Sequence, residues 1–483
     1  MDDQLVDVLI VGAGLSGIGA ACHLKRLCPE RSVAIVEARQ SLGGTWDLFR
    51  YPGIRSDSDM YTLGYSFRPW TGEKSIADGP SILAYLRETA RENGVDRLIR
   101  YGHRVSRAAW SSADARWVVD IARDDGSTVR FRAGFLMMCA GYYDYDEGHM
   151  PAFAGRESFR GEVIHPQHWR DDIDYRGKRV VVIGSGATAV TLVPELAKQA
   201  AHVTMLQRSP TYMVTRPSVD GVATWLLRFT PRAVAHGFTR WKNLLLGMYV
   251  FRLCRRQPQR VKAMMIRLVS KQLAPGYDVA THFTPSYNPW EQRLCLVPDG
   301  DFFNAIRDGR AEVVTDQIER FTETGVQLKS GKTLPADLVV SATGLKLKVL
   351  SGVELSVDGR RIEPSQLVNY KGIMFGGVPN FASVFGYTNA SWTLKADLAS
   401  TFVCRLLNHM KQTGARQCTP RADDPSMTIE PWVDFSSGYF QRALDQLPKQ
   451  GSKKPWRLNQ NYLADLVTLR YGKIDDGVLG FSR

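Results

Sequence analysis

The sequence predicts an α/β protein made of two Rossmann-like units, the second interrupted by a helical insertion. Three observations carry that reading. Short, nearly continuous apolar runs stop at glycine, as strands buried on both faces of a parallel sheet do. The pattern G-x-G-x-x-G/A opens a helix twice, at Gly12 and again at Gly184. Between positions 222 and 273 lies a stretch rich in Arg and Lys that contains no acid at all.

The elements follow in order. Residues 5–11 form an apolar run that ends at Gly12-Ala13-Gly14-Leu15-Ser16-Gly17, and Ile18, Ala21 and Cys22 share one face of the helix that follows. A second strand, 32–36, stops at Glu37. The grammar then repeats: strand 179–183, the turn Gly184-Ser185-Gly186-Ala187-Thr188-Ala189, a helix through Ala197, and strand 202–206 ending near Arg208. In the basic stretch Trp225, Leu226, Trp241, Leu244, Leu245, Tyr249 and Phe251 are interleaved with Arg and Lys, which predicts one or two amphipathic helices. Strands resume at 312–315, 326–328 and 338–342, and the mixed remainder from about Gly352 completes the first unit. The expected division is a first domain over 1–150 and 346–483, and a second over 151–345 with its insert at about 218–275.

A glycine triplet between a strand and a helix is the turn that receives a dinucleotide pyrophosphate. Gly12 permits the tight turn, Gly14 the close approach of phosphate, and Gly17 close helix packing. Unpaired N–H groups at the helix N-terminus, Ser16 nearby, favour the anion. Glu37 suits a ribose and repels a 2′-phosphate, so the first site reads as FAD or NAD. The second copy, Gly184, Ser185, Gly186, Ala187, Thr188, Ala189 and Val190, is followed by Arg208 and Ser209. An Arg there can pair with a 2′-phosphate and the Ser can donate to it, which points to NADP; a merely surface-exposed Arg208 is the alternative.

Two further tracts carry a resemblance. Gly43-Gly44-Thr45-Trp46-Asp47-Leu48-Phe49-Arg50-Tyr51-Pro52-Gly53-Ile54-Arg55-Ser56-Asp57 matches every specified position of a fingerprint of type I Baeyer–Villiger monooxygenases. Phe159 to Trp169 resembles their second fingerprint, with Gly161, His165 and Trp169 in place and Arg170 standing where Pro or Asp is usual. Other tracts, 288–298 and 386–397 among them, resemble a mycobacterial branch of that class. The resemblance implies FAD held by Gly44, Thr45, Trp46, Asp47, Leu48, Arg55, Ser56, Asp57 and Val105 as well as the first turn. It implies NADPH and O2 as co-substrates and a ketone or a sulfur compound as acceptor. It makes Arg293 the catalytic arginine that stabilises an anionic flavin peroxide, with Asp57 as its partner; read from sequence alone, Arg293 is a salt-bridged surface residue. His165 is either a proton donor or, as the fingerprint's place between domains suggests, an orienting residue. Tract 339–344 resembles a linker between domains, and 388–392 a border of the flavin and substrate pocket.

Composition narrows the rest. The 483 residues carry a formal charge of +13, which fits an anionic partner of some kind. No nucleic-acid motif accompanies the basic stretch, so nucleic acid is not expected; a peripheral contact with an anionic membrane surface stays open, either beside catalysis or as the main role. The acidic start Met1-Asp2-Asp3-Gln4 lacks a basic signal region, and no apolar run is long enough to span a bilayer, so a cytoplasmic protein is expected, membrane contact confined to the inner face. Seven scattered cysteines without a C-x-x-C pair indicate idle buried thiols, and argue against a flavin disulfide reductase, which needs a dithiol near its flavin. An N-hydroxylating monooxygenase remains an alternative. Substrate size and oligomeric state are not legible.

Overall fold

A computed structural model describes residues 3–433 and 436–483; Met1 and Asp2 of the acidic start lie outside the described residues. Two sheets organise the chain. In the first, Asp3–Val11 runs parallel to Val33–Val36 on one side and to Thr128–Met138 on the other, with Ile10 opposite Ile35 and Met137. Ile99–Arg100 extends the parallel side, while Arg116–Arg123 and His103–Ser111 add antiparallel strands to the other. The second sheet is wholly parallel, in the order Ala311–Thr315, His202–Gln207, Arg179–Ile183, Leu338–Ser341, Glu162–Ile164.

The first strand starts two residues earlier than its apolar run suggests. Only Val8 to Val11 are buried, and Leu5 is 64% exposed where the strand runs past its covering helices. The helix Leu15–Leu27 then returns across the sheet, with Lys25 and Arg26 in its last turn complementing the helix dipole. It packs on Trp392–Thr413, brought back from the far end of the chain, and His23 Nε2 meets Asp397 Oδ1 at 3.1 Å across that contact. Glu354–Val357 pairs with His103–Ser111, and Phe381–Ser383 with Thr128–Met138, so the carboxy-terminal third adds strands to the first sheet.

The chain crosses between the sheets twice, and the two crossings are zipped together. Tyr143–Gly148 pairs antiparallel with Leu345–Leu347, and Lys348 Nζ lies 2.8 Å from Asp146 Oδ2 beside a Lys346–Glu147 pair.

The basic insert is three helices rather than one or two: Gly221–Phe229, Arg232–Arg256 and Pro258–Ser270. Prolines cut it. Pro231 caps the second helix and Pro258 opens the third, positions that tolerate a missing N–H but cannot continue a preceding helix. All seven cysteines are free and buried. Among the described residues no helix is long and apolar enough to cross a membrane.

Helix packing at the first turn depends on Gly17. A Cβ there would lie 1.9 Å from the Gly12 carbonyl oxygen, a backbone atom with little room to yield. Gly17→Ala is therefore expected to cost about 1–3 kcal/mol, the usual range for overpacking. Urea denaturation checks this; a wild-type midpoint would show that the turn relaxes freely.

Candidate active site

One cavity of about 910 Å³ lies between the sheets and is lined by both glycine turns. The turns are built alike. Gly12 (φ +102°) donates its N–H to Val36 O at 2.8 Å, and Gly184 (φ +130°) donates to Leu206 O at the same distance. Both conformations favour glycine, and each tethers the turn to the neighbouring strand. Beside the first turn, Glu37 is buried and accepts from Ala13 N at 2.8 Å and Arg39 N at 2.9 Å. Burial pushes its pKa up, and those two N–H groups pull it back. Gly14, Ser16, Gly44, Thr45, Trp46 and Val105 line this part of the cavity, with Thr45 Oγ1 3.3 Å from Tyr145 OH.

The second turn presents Ser185, Gly186, Ala187 and Thr188 to the same cavity. A Cβ added at Gly186 would meet no protein atom within 4 Å; at Gly14 it would touch only Gly44, at 3.6 Å. Space is thus left open where a pyrophosphate must approach, and the two turns fit a pair of dinucleotides. Arg208 and Ser209 are exposed on the cavity wall, and Ser185 Oγ donates to Ser209 O at 3.0 Å.

Arg293 and Asp57 meet in this wall from opposite units. Arg293 Nε lies 2.9 Å from Asp57 Oδ2 and Nη2 3.2 Å from Oδ1, a two-pronged contact. The carboxylate raises the guanidinium pKa further above its ordinary value, against the opposing effect of burial. The side chains are 37% and 31% exposed, so the charge is fixed yet reachable. The loop before Arg293 is held stiffly. Glu291 accepts from Asn288 N at 3.0 Å and from Asn288 Nδ2 at 2.8 Å, and Trp290 adopts φ +68°, a strained conformation for a bulky residue. Trp290 packs edge-on against Phe251 of the second insert helix, with ring centroids 5.6 Å apart.

Next to Arg293 a small aromatic cavity of about 40 Å³ is lined by Tyr142, Phe385, Tyr387, Trp392, Tyr439 and Phe440. Thr388 and Ala390 also border it, and Trp392 faces both cavities. Tyr142 stacks on Trp392 at 5.4 Å. Burial raises the pKa of Tyr142 and Tyr143, which keeps both phenols neutral.

His165 lines the large cavity, but both its ring nitrogens are occupied by backbone. Nε2 donates to Gly344 O at 3.0 Å, and Nδ1 accepts from Gln167 N at 3.2 Å. Burial lowers its pKa and favours the neutral ring. Gln167 Nε2 reaches Asp144 O at 2.9 Å, so this short segment ties the second sheet to both crossing strands. Trp169 packs against Tyr175, and Arg170 sits in exposed ion pairs with Glu162 and Asp172.

Five expected cofactor contacts lie outside the cavity lining: Gly17, Asp47, Leu48, Ala189 and Val190. Asp47 is buried and turned toward Arg39, 2.8 Å away, and Arg87, 3.4 Å away, while Ala189 and Val190 are fully buried under the second sheet. Arg55 and Ser56 line the cavity; Arg55 pairs with Asp301, and its buried Nη2 has no hydrogen-bond partner among the described residues. The aromatic wall of Tyr142, Tyr143 and Tyr439 was missed. A signal for part of it existed, since Gly141-Tyr142-Tyr143-Asp144-Tyr145 follows the carboxyl end of a parallel strand, where open α/β sheets bind ligands.

The profile of the flavin-binding monooxygenase-like family matches residues 75–373, and that of an NAD(P)-binding Rossmann-like domain matches residues 10–73. The chain is 55% identical to the FAD-containing monooxygenase EthA of Mycobacterium tuberculosis (strain ATCC 25618 / H37Rv), covering 99% of this chain and 98% of the relative. It is 49% identical to a probable FAD-binding monooxygenase, AlmA, of an Acinetobacter species, covering 100% and 97%. Among solved structures, an oxidized steroid monooxygenase bound to NADP superposes with a TM-score of 0.73 at 26% identity, over 87% of this chain and 88% of the other. An open cyclohexanone monooxygenase shares the fold at a TM-score of 0.76 and 19% identity, over 99% and 100%.

Proposed function

We propose, from the premise that this chain belongs to the flavin-binding monooxygenase-like family, that it is an FAD-containing, NADPH- and O2-dependent monooxygenase acting on ketones or sulfur compounds. The observation that carries the reading is a single cavity that joins two glycine turns and has the Arg293–Asp57 pair in its wall. A bound flavin supplies the activation of O2 with electrons from NADPH, one oxygen atom going to the acceptor and the other to water.

The residues divide the rest of the work. Gly12 makes the turn, Gly14 lets FAD approach the backbone, Gly44 packs closely beside Gly14, and Glu37 holds the ribose. Gly184, Ser185 and Gly186 receive the NADP pyrophosphate, and Arg208 with Ser209 takes the 2′-phosphate. Arg293 provides a permanent positive charge where negative charge develops, and Asp57 aims it; a guanidinium does not deprotonate, so its part is electrostatic. The aromatic cavity beside it offers a wall of ring faces that suits the apolar body of a ketone or sulfide. His165 acts as a positioning residue, its neutral ring clamping Gly344 to the second fingerprint.

Arg208→Ala is expected to raise the KM for NADPH by about tenfold or more, as for loss of a charge-assisted contact, while leaving the KM for NADH nearly unchanged. Steady-state kinetics with both cofactors decides; equal losses would show that Arg208 does not read the phosphate. Arg293→Ala is expected to fold and retain FAD, yet to lose product formation by about a hundredfold or more, the range for removing a preorganised donor. Product quantification on FAD-replete protein across ketones, sulfides and amines tests both role and acceptor. Near-wild-type oxygenation would overturn the assignment of Arg293, and turnover with amines alone would replace the acceptor class by an N-hydroxylation.

A further inference from the structure

The helical insert leaves a large apolar surface mostly uncovered by the described residues. Along the helix Arg232–Arg256, Val234, Phe238, Trp241, Leu245 and Tyr249 recur every three or four residues, and all are exposed, Tyr249 at 62%. The preceding helix adds Trp225 and Phe229, whose rings lie 5.5 Å apart and which are 59% and 70% exposed. Midway along the stripe Trp241 meets Tyr462 at 6.2 Å, next to the exposed Leu463, Val467 and Tyr471 of the carboxy-terminal helical turns. Scattered exposed apolar residues are normal; a set of this size on adjoining helices, rich in Trp, Tyr and Phe, marks an interaction surface.

The charge around it selects the partner. From 222 to 273 the chain has no Asp or Glu, and Arg228, Arg232, Arg252, Arg256, Arg260 and Arg267 are exposed there. Asp220, just outside, is occupied by Lys242 Nζ at 2.7 Å. A second copy would bring like charge against like charge across this face. An anionic bilayer offers the opposite charge together with an apolar interior, and none of the helices among the described residues is long and apolar enough to cross it. Aromatic side chains favour the headgroup level.

We propose that the insert helices and the turns around Val467 form a monotopic docking surface for an anionic lipid bilayer. The outer stripe enters the interface and the arginines contact lipid headgroups. The opposite face of the same helix stays packed on the enzyme: Leu244 is buried against Tyr387 and Leu394, and Phe251 supports Trp290. Docking therefore engages only the outward face, and it stands whether or not the monooxygenase reading does.

The experiment uses the full-length, FAD-loaded protein and vesicles of phosphatidylcholine with or without about 30 mol % phosphatidylglycerol, enough to set a negative surface potential. Co-sedimentation is expected with anionic vesicles, with binding to pure phosphatidylcholine about tenfold weaker or less. Raising salt to about 1 M, where the Debye length falls to about 3 Å, should weaken it. The triple variant Trp225→Ser, Phe229→Ser, Phe238→Ser should keep its FAD and its turnover of a water-soluble acceptor while losing about tenfold or more of vesicle binding. No binding to anionic vesicles overturns the proposal. So does equal binding by the triple variant, and so does a concentration-dependent dimer that the variant abolishes in the absence of vesicle binding, which would assign the surface to a second copy.

Discussion

The ion pair between Arg293 and Asp57 is the constraint on which the site depends. Asp57 closes a loop that belongs with the first glycine turn, and Arg293 precedes a strand beside the second. This pair is made only when both units are in place, one contributing the cation and the other the carboxylate that fixes it. A pair whose side chains remain about a third exposed is worth about 0–1 kcal/mol, so its value to the fold is small. What it provides is orientation: two prongs set the guanidinium plane, and the braced Asn288–Glu291 turn and Phe251 hold the loop that carries it.

The remaining architecture keeps the two units in register so that this pair can form. Each sheet tethers its own glycine turn by one N–H to the neighbouring strand, and each turn aims a helix N-terminus at the shared cavity. The zipped crossing strands set the spacing, and His165 and Gln167 fasten the second sheet to both of them. A ring with both nitrogens committed to backbone has no proton to offer without breaking a contact that joins the units.

Much of this was legible because local chemistry required it. The glycine turns needed positive φ or open space, and the acid at 37 and the arginine at 208 followed strands whose ends they mark. The prolines at 231 and 258 could have divided the insert into three helices, and the even mixture of apolar and basic residues obscured them. Asp47, expected among the cofactor contacts, is held by Arg39 and Arg87, a pairing that fingerprint spacing does not reveal. The aromatic wall was illegible for another reason. Tyr142, Phe385 and Tyr439 come from distant segments, and only tertiary packing brings them to Arg293. The tract 388–392, read as a pocket border, supplies Thr388, Ala390 and Trp392 to that wall.

If two dinucleotides converge on one fixed guanidinium, a crystal structure of the protein with FAD and NADP+ will show it. The flavin ring and the nicotinamide are both expected to reach the cavity wall at Arg293, with the Arg293–Asp57 contact preserved and the 2′-phosphate at Arg208. A flavin ring bound away from Arg293, or NADP+ with its 2′-phosphate far from Arg208, would contradict it.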